Sequence, residues 1–154
     1  MSGAYADLMS DPYELSRFVV AHQAVYDAAV RELRAGRKTS HWMWFIFPQI
    51  AGLGRSATAQ KYAIASLAEA EAYLANPLLG PRLLECARIL TQLSGRTAQD
   101  VLGPVDAQKL QSSMTLFARA AAAPSPFGEV LAQYFDGAED QATLQRLTTR
   151  GDFP

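Results

Sequence analysis

Apolar side chains recur along this chain three and four residues apart, and nowhere do they sustain the alternation that a half-buried strand requires. Leu15, Phe18 and Val19 share a helical face. The pattern continues through Ala24, Tyr26, Ala28, Ala29 and Leu33, with Gln23, Asp27, Arg31, Glu32 and Arg34 interleaved, and stops at Gly36. Asp11 can accept the free amide hydrogens of a first turn and Pro12 loses nothing at the next position, so the pair predicts the helix start. Gly36 predicts its C-terminal cap.

Capping residues then divide the remainder. Ser40 is expected to cap a short helix over 42–47 that Pro48 ends, Ser56 one over 57–64, and Ser66 one over 67–74. Asn76-Pro77 separates these from 78–93, where Leu79, Leu83, Cys86, Leu90 and Leu93 form the wide apolar stripe of a central helix. Its regular part is expected from Pro81. A short helix over 97–102 follows, then Gly103-Pro104, then a long helix over 107–122 capped by Asp106, with Leu110, Met114, Phe117 and Ala118 on one face. Pro124-Ser125-Pro126 is a rigid break before short helices over 127–135 and 140–147 and a loose tail over 148–154. Ile, Val and Thr are sparse beside Ala and Leu. The expected fold is all-α: one domain over 1–154, an irregular array of about eight short to medium helices, ordered over about 11–147.

Composition narrows the partners. No apolar run approaches the ~18 residues that cross a bilayer, so a membrane span is excluded from the reading. The first residues lack the basic and apolar segments of a secretory signal, which points to the cytoplasm. Cys86 is the only cysteine, which rules out an internal disulfide and suits a small buried hydrophobe. A net charge of −1 disfavours non-specific nucleic-acid binding.

One window resists a purely structural account. Residues 40–56 hold both tryptophans, His41, Gln49 and the Gly52-Leu53-Gly54 turn. If helical, the run from Trp42 to Phe47 is apolar all round, as a buried plug would be. The functional account gives each residue a task. Trp42 and Trp44 would stack on a planar ligand, while His41 and Gln49 lend directed hydrogen bonds. Gly52 and Gly54 would bring backbone close, and Arg55 and Ser56 at a helix start suit an anion. The Gly-Leu-Gly-Arg-Ser spacing matches neither the Walker nor the dinucleotide fingerprint. A second polar cluster, Lys109, Ser112, Ser113 and Thr115, crowds one helix where hydroxyls are poor helix formers unless otherwise engaged. Lys109 is expected to face His41 across an indole-walled hollow, with His41 as the candidate acid or base. Arg37 and Lys38 suit the negative end of the first helix dipole, or a basic rim beside the window. The two histidines have no metal-ligand spacing, and His22 receives no role.

Together, Asp11-Pro12-Tyr13-x-Leu15-x-Arg17-Phe18, the run from Ser40 to Gln49 with Gly52-Leu53-Gly54, Leu79-Gly80-Pro81-Arg82-Leu83, and Lys109-Leu110-x-Ser112-Ser113-Met114-Thr115-Leu116-Phe117 resemble the family catalogued as domain of unknown function 1810. The resemblance is nearly full length. It implies a mainly helical single domain and carries over no activity and no catalytic residue. His22 stands where the family pattern leads one to expect Gln, and Asn76 where it leads one to expect His. The label "calpastatin" attached to some members does not suit this chain, since such an inhibitor is a disordered repeat chain and this one is apolar and free of repeats.

Three functions follow as expectations. The first is a site for a small anionic or nucleotide-like ligand built by the window and the 109–117 helix, with or without chemistry. No cofactor is indicated. The second is a protein-interaction module anchored by Trp42, Trp44, Phe45 and Phe47, its partner another protein or a second copy as a homo-oligomer. In the third the window is core and the function lies elsewhere.

Overall fold

The first helix begins on a cap that reaches further than local sequence suggests. In the computed structural model, which describes residues 11–149, the Asp11 carboxylate accepts hydrogen bonds from the amides of Leu15 (2.7 Å) and Ser16 (3.0 Å). Residues 12–15 form a turn, with Glu14 at a left-handed φ of 53°. The first helix, α1, is therefore Ser16–Ala35 rather than a helix from Pro12. Gly36, at φ 75°, caps its end as expected.

The window contributes only α2, Met43–Ile46. Ser40 does not cap it, because its hydroxyl is spent on Glu32. Ser56 and Ser66 do cap the next two helices, α3, Ala57–Lys61, and α4, Leu67–Ala75. α3 stops short of 64 because Ile64 leaves the helix to pair with the chain after α2. Its amide donates to the Gln49 carbonyl and its own carbonyl accepts from Ala51, both at 2.8 Å.

In α5, Leu79–Gln92, the regular part begins before Pro81. The Asn76 side chain accepts from the amides of Leu78 and Leu79, and the missing N–H of Pro81 falls in the first turn, where no intrahelical acceptor exists. α6, Ala98–Leu102, opens on a Thr97/Asp100 capping box. α7, Pro104–Ala120, starts at the proline, so Asp106 is not its cap but lies within its first turn. α8, Pro126–Phe135, is capped by Ser125. α9, Gln141–Thr149, is capped by Asp140, whose carboxylate accepts from the Thr143 amide at 3.0 Å. It extends beyond 147, and the rest of the expected tail lies outside the described residues.

These helices form an all-α array, with α7 rather than α5 as its hub. α7 packs against α4, α6, α8 and α9, while α5 joins α1, α4 and α8. An aromatic chain runs through the middle, with ring centroids 5.2 Å apart for Phe18 and Tyr73, 5.3 Å for Tyr73 and Phe117, and 5.9 Å for Phe117 and Phe127. All four rings are fully buried, each contributing ~2–3 kcal/mol. Among the described residues no helix is long and apolar enough to cross a membrane.

A single guanidinium ties the array's open corner. Arg17 Nε donates to the Lys61 carbonyl (2.8 Å), Nη1 to those of Tyr13 (2.5 Å) and Glu14 (2.9 Å), and Nη2 to Ala63 (2.8 Å) and the Glu69 carboxylate (2.9 Å). Glu69 is only 3% exposed, and its other oxygen accepts from the Ala65 amide at 2.8 Å. Arg17→Ala should cost about 3–5 kcal/mol by leaving that buried carboxylate without its cation. Urea unfolding measures it; a loss below 1 kcal/mol would contradict the assigned role.

Candidate functional site

The aromatic window is held from behind by Glu32 near the end of α1. One carboxylate oxygen accepts from the amides of Thr39 (2.7 Å) and Ser40 (2.9 Å) and from the indole N–H of Trp42 (2.9 Å); the other accepts from the Ser40 hydroxyl (2.5 Å). Burial alone would raise its pKa, but these four donors outweigh burial and hold it at about 2. The indole nitrogen thus enters the core with a partner. Trp42, Met43, Ile46, Phe47 and Ile50 are all buried.

Trp44 and Phe45 differ, being only half-buried. Asp106, in the first turn of α7, binds two ammonium groups, Lys38 at 2.9 Å and Lys109 at 3.3 Å. Lys38 lies over the Trp42 ring, 5.2 Å from its centroid, and Lys109 over the Trp44 ring at 4.7 Å. One carboxylate therefore seats a lysine on each tryptophan. Lys38 is a largely buried clamp rather than an exposed rim, while Arg37 is exposed.

Beneath Trp44 lies a void of about 10 Å³, room for roughly one water, lined by Phe47, Gln49, Gly54, Tyr62 and Lys109 among others. Beside it opens a shallow cleft of about 320 Å³. Gln49, Leu53 and Gly54 form one wall, Val105, Gln108, Lys109, Gln111 and Ser112 the second, and Asp140 with Ala142 the third. Of the residues singled out from sequence, Trp44, Gln49, Gly54, Lys109 and Ser112 come together at these two hollows.

The others are placed differently. His41 is exposed and lines neither hollow, so the imidazole and the Lys109 ammonium do not meet across them. Trp42 is sealed in the core. Gly52, at φ 98°, has the Arg146 guanidinium against it and its carbonyl accepts from that group at 3.2 Å. Arg55 is exposed, and the Ser56 hydroxyl caps α3, accepting from Ala59 at 3.1 Å. Ser113 is buried in α7, and Thr115 both donates to the Gln111 carbonyl (2.8 Å) and accepts from the Asp140 amide (2.9 Å). Leu53, Val105, Gln108, Gln111 and Asp140 were not read as site residues. Val105, 67% exposed directly after Gly103-Pro104, was the readable signal among them. Another open hollow, of about 670 Å³ and lined by Tyr13, Arg17, Lys61 and Glu69 among others, involves none of the sequence candidates.

His22, given no role from sequence, is a buried joint between α1, α5 and the window. Nε2 lies 2.7 Å from the Phe45 carbonyl and Nδ1 3.4 Å from Arg82 Nη1. A guanidinium can only donate, so Nδ1 offers its lone pair and Nε2 carries the hydrogen. Tyr26 stacks on the imidazole, Arg82 lies 4.2 Å above the Tyr26 ring, and the Tyr26 hydroxyl donates to Glu85. Burial lowers the His22 pKa; Arg82 adds to this, against the opposing pull of the Phe45 carbonyl. Cys86 is buried next in sequence to Glu85, and burial pushes its thiol up to about 12, far from a reactive thiolate. Among the described residues no group of three or more His, Cys, Asp or Glu is placed to hold a metal.

The fold and these hollows define an all-α domain that presents a shallow cleft beside a closed aromatic core. The chain belongs to a family described as "Protein of unknown function (DUF1810)", whose profile matches residues 12–147. It is similar to the crystal structure of the conserved hypothetical protein Rv1873 from Mycobacterium tuberculosis. The two share 54% identity over 90% of this chain and 99% of that one, with a TM-score of 0.88. No curated protein matches the chain.

Because the folded His22 pKa lies below its ordinary 6.5, the unfolded chain takes up the proton first. The contribution is complete above about pH 6.5 and is lost as pH falls toward the lower folded value. Between pH 7 and pH 5 the parent should therefore lose more unfolding free energy than His22→Gln; parallel pH profiles in urea titrations would refute the assignment.

Proposed function

We propose that this chain is a protein-interaction module whose recognition surface is the cleft between the Gly52-Leu53-Gly54 turn and α7, with Trp44 as its anchor. The observation that carries the reading is the split between the two tryptophans. Trp42 is sealed and its indole nitrogen paired, whereas Trp44 remains half-exposed over a small void that shares Gln49, Gly54 and Lys109 with the cleft flanked by Leu53 and the exposed Val105. A partly exposed indole beside apolar side chains is the composition of an interface anchor. Because Trp42 and Phe47 are core, the anchoring patch reduces to Trp44 and Phe45, of which only Trp44 lines the void beside the cleft.

The partner is a peptide segment with an apolar side chain and exposed main-chain amides. Gln49 and Gln108 line the cleft and offer paired donors and acceptors suited to a polypeptide backbone, while the Gln111 amide nitrogen already donates to the Ala138 carbonyl at 2.9 Å. A nucleotide-like anion fits less well. The void under Trp44 holds about one water, Lys109 is already paired with Asp106, and Asp140 adds negative charge to the cleft wall. In this reading His41, Arg55 and Ser56 have no ligand, and His41 has no chemical task.

Selection from a random peptide display library against the intact chain tests this. Enriched peptides should lose about 30-fold or more in affinity on Trp44→Ala, in line with a central aromatic hot spot, and also on Val105→Glu. They should tolerate Val20→Glu, at an exposed apolar position outside the cleft. Binders indifferent to the cleft variants, or thermal shifts with a nucleotide panel that vanish in Lys109→Ala, would overturn the proposal.

A further inference from the structure

Asp140 is the one acidic residue in the cleft lining, and the fold uses only one of its oxygens. Oδ2 accepts from the Thr143 hydroxyl (2.6 Å), the Thr143 amide (3.0 Å) and the Ser112 hydroxyl (3.1 Å). Oδ1 accepts from none of the described residues, and none of their ion pairs includes Asp140. The side-chain atoms sealed without a partner are Tyr73 Oη and Ser113 Oγ, so Oδ1 of the half-buried Asp140 reaches solvent.

That oxygen is held still. The Asp140 amide donates to Thr115 Oγ1 at 2.9 Å, and the three residues that fix this carboxylate, Ser112, Thr115 and Thr143, are all buried. An acceptor anchored in this way loses little freedom when a donor arrives. The hydroxyls of α7 thereby acquire a purpose beyond bonding back to their own helix, which is to aim a charge at the cleft.

Neighbouring charges decide what Oδ1 can receive. Lys109, the one cation in the lining, is paired with Asp106 at 3.3 Å, and Arg146, outside the lining, is bonded to the Gly52 carbonyl at 3.2 Å. The charge left open in the cleft is therefore negative. A guanidinium pairs best with a carboxylate through both oxygens, and here one of them already takes three bonds. An ammonium is a compact point charge that a single oxygen can serve. We infer that the cleft selects a segment carrying an ammonium group beside its apolar side chain, and that Asp140 Oδ1 receives it; the amine is a lysine side chain or a free chain start. The inference rests on the interaction reading given above and adds a charge to the partner, but its first test needs no partner.

That test follows the ¹³C resonances of the side-chain carboxylates while one of three small compounds is added: N-acetyl-lysine methylamide, norleucine methylamide with its α-amine free, or uncharged N-acetyl-norleucine methylamide. The Asp140 resonance should move with at least one amine and not with the uncharged compound, and the amine that moves it identifies the source. The accompanying amide shifts at Gln108 and Lys109 should vanish in Asp140→Asn, which keeps an oxygen for Ser112 and Thr143 and puts a donor in place of Oδ1. No Asp140 response to either amine, or an equal response to the uncharged compound, would overturn the inference. Display-selected peptides form the second arm. Replacing their lysine with norleucine, or acetylating their N-terminus, should cost about tenfold in affinity for the parent chain and nothing for Asp140→Asn. Cleft-dependent peptides without such coupling overturn the ammonium while the cleft reading survives. Peptides indifferent to Trp44→Ala and Val105→Glu remove the cleft reading, and the Asp140 titration then decides the ammonium site by itself.

Discussion

The structure depends on one carboxylate satisfying the polar atoms of a segment that must otherwise be apolar. A tryptophan can enter a close-packed core only if its indole N–H has an acceptor, since an unpaired donor there costs as much as a good aromatic contact returns. Glu32 supplies that acceptor and also takes the two backbone amides and the hydroxyl that bring the chain into the window. Its position near the C-terminal end of α1 is unfavourable with respect to the helix dipole. Four donors compensate, and they keep it ionised far below the usual carboxylate range. With Trp42 fixed, α2 is short and its neighbours Met43, Ile46 and Phe47 fall into the core.

A second shared carboxylate determines what remains outside. Asp106 sits in the first turn of α7, where the dipole favours it, and draws in Lys38 from the end of α1 and Lys109 from its own helix. The two ammonium groups then cover the two indole faces to different extents, one at a sealed ring and one at the edge of a cleft. The lysine over the partly exposed tryptophan is thus held by a carboxylate in the first turn of α7. Had Asp106 been the helix cap, its oxygens would have been occupied by α7's own amides rather than by lysines.

Much of the fold was legible in the sequence because it is encoded locally. Ser56, Ser66, Thr97, Ser125 and Asp140 all act through amides within three residues, and apolar spacing marks the buried face of each long helix. The misjudged boundaries involve longer reach or tertiary pairing: Asp11 bonding four and five residues ahead, Ile64 leaving a helix to meet Gln49, and Ser40 turning back to Glu32. The convergence of Lys109 and Ser112 with Gln49 and Gly54 could be anticipated, because odd chemistry was concentrated in just two stretches. The orientation of His41, the burial of His22 and the engagement of Ser112 and Thr115 with Asp140 could not. The contacts of His22, Ser112 and Thr115 each join residues at least 23 positions apart, which periodicity does not report.

Electrostatics finally decides the sort of molecule this cleft suits. Around it lie three cationic groups and two carboxylates, Lys38, Lys109 and the Arg146 guanidinium at Gly52 against Asp106 and Asp140. An anion approaching Lys109 must compete with a carboxylate 3.3 Å away and faces a second across the cleft, so the attraction of one lysine is largely cancelled before it reaches the ligand. A neutral segment meets no such opposition. On the proposed interaction reading it would gain apolar contact with Leu53 and Val105 and hydrogen bonds from the glutamine amides, terms that salt screens little. That reading relies on shape and directed hydrogen bonds, with the lysine seated over the indole rather than offered to an anion.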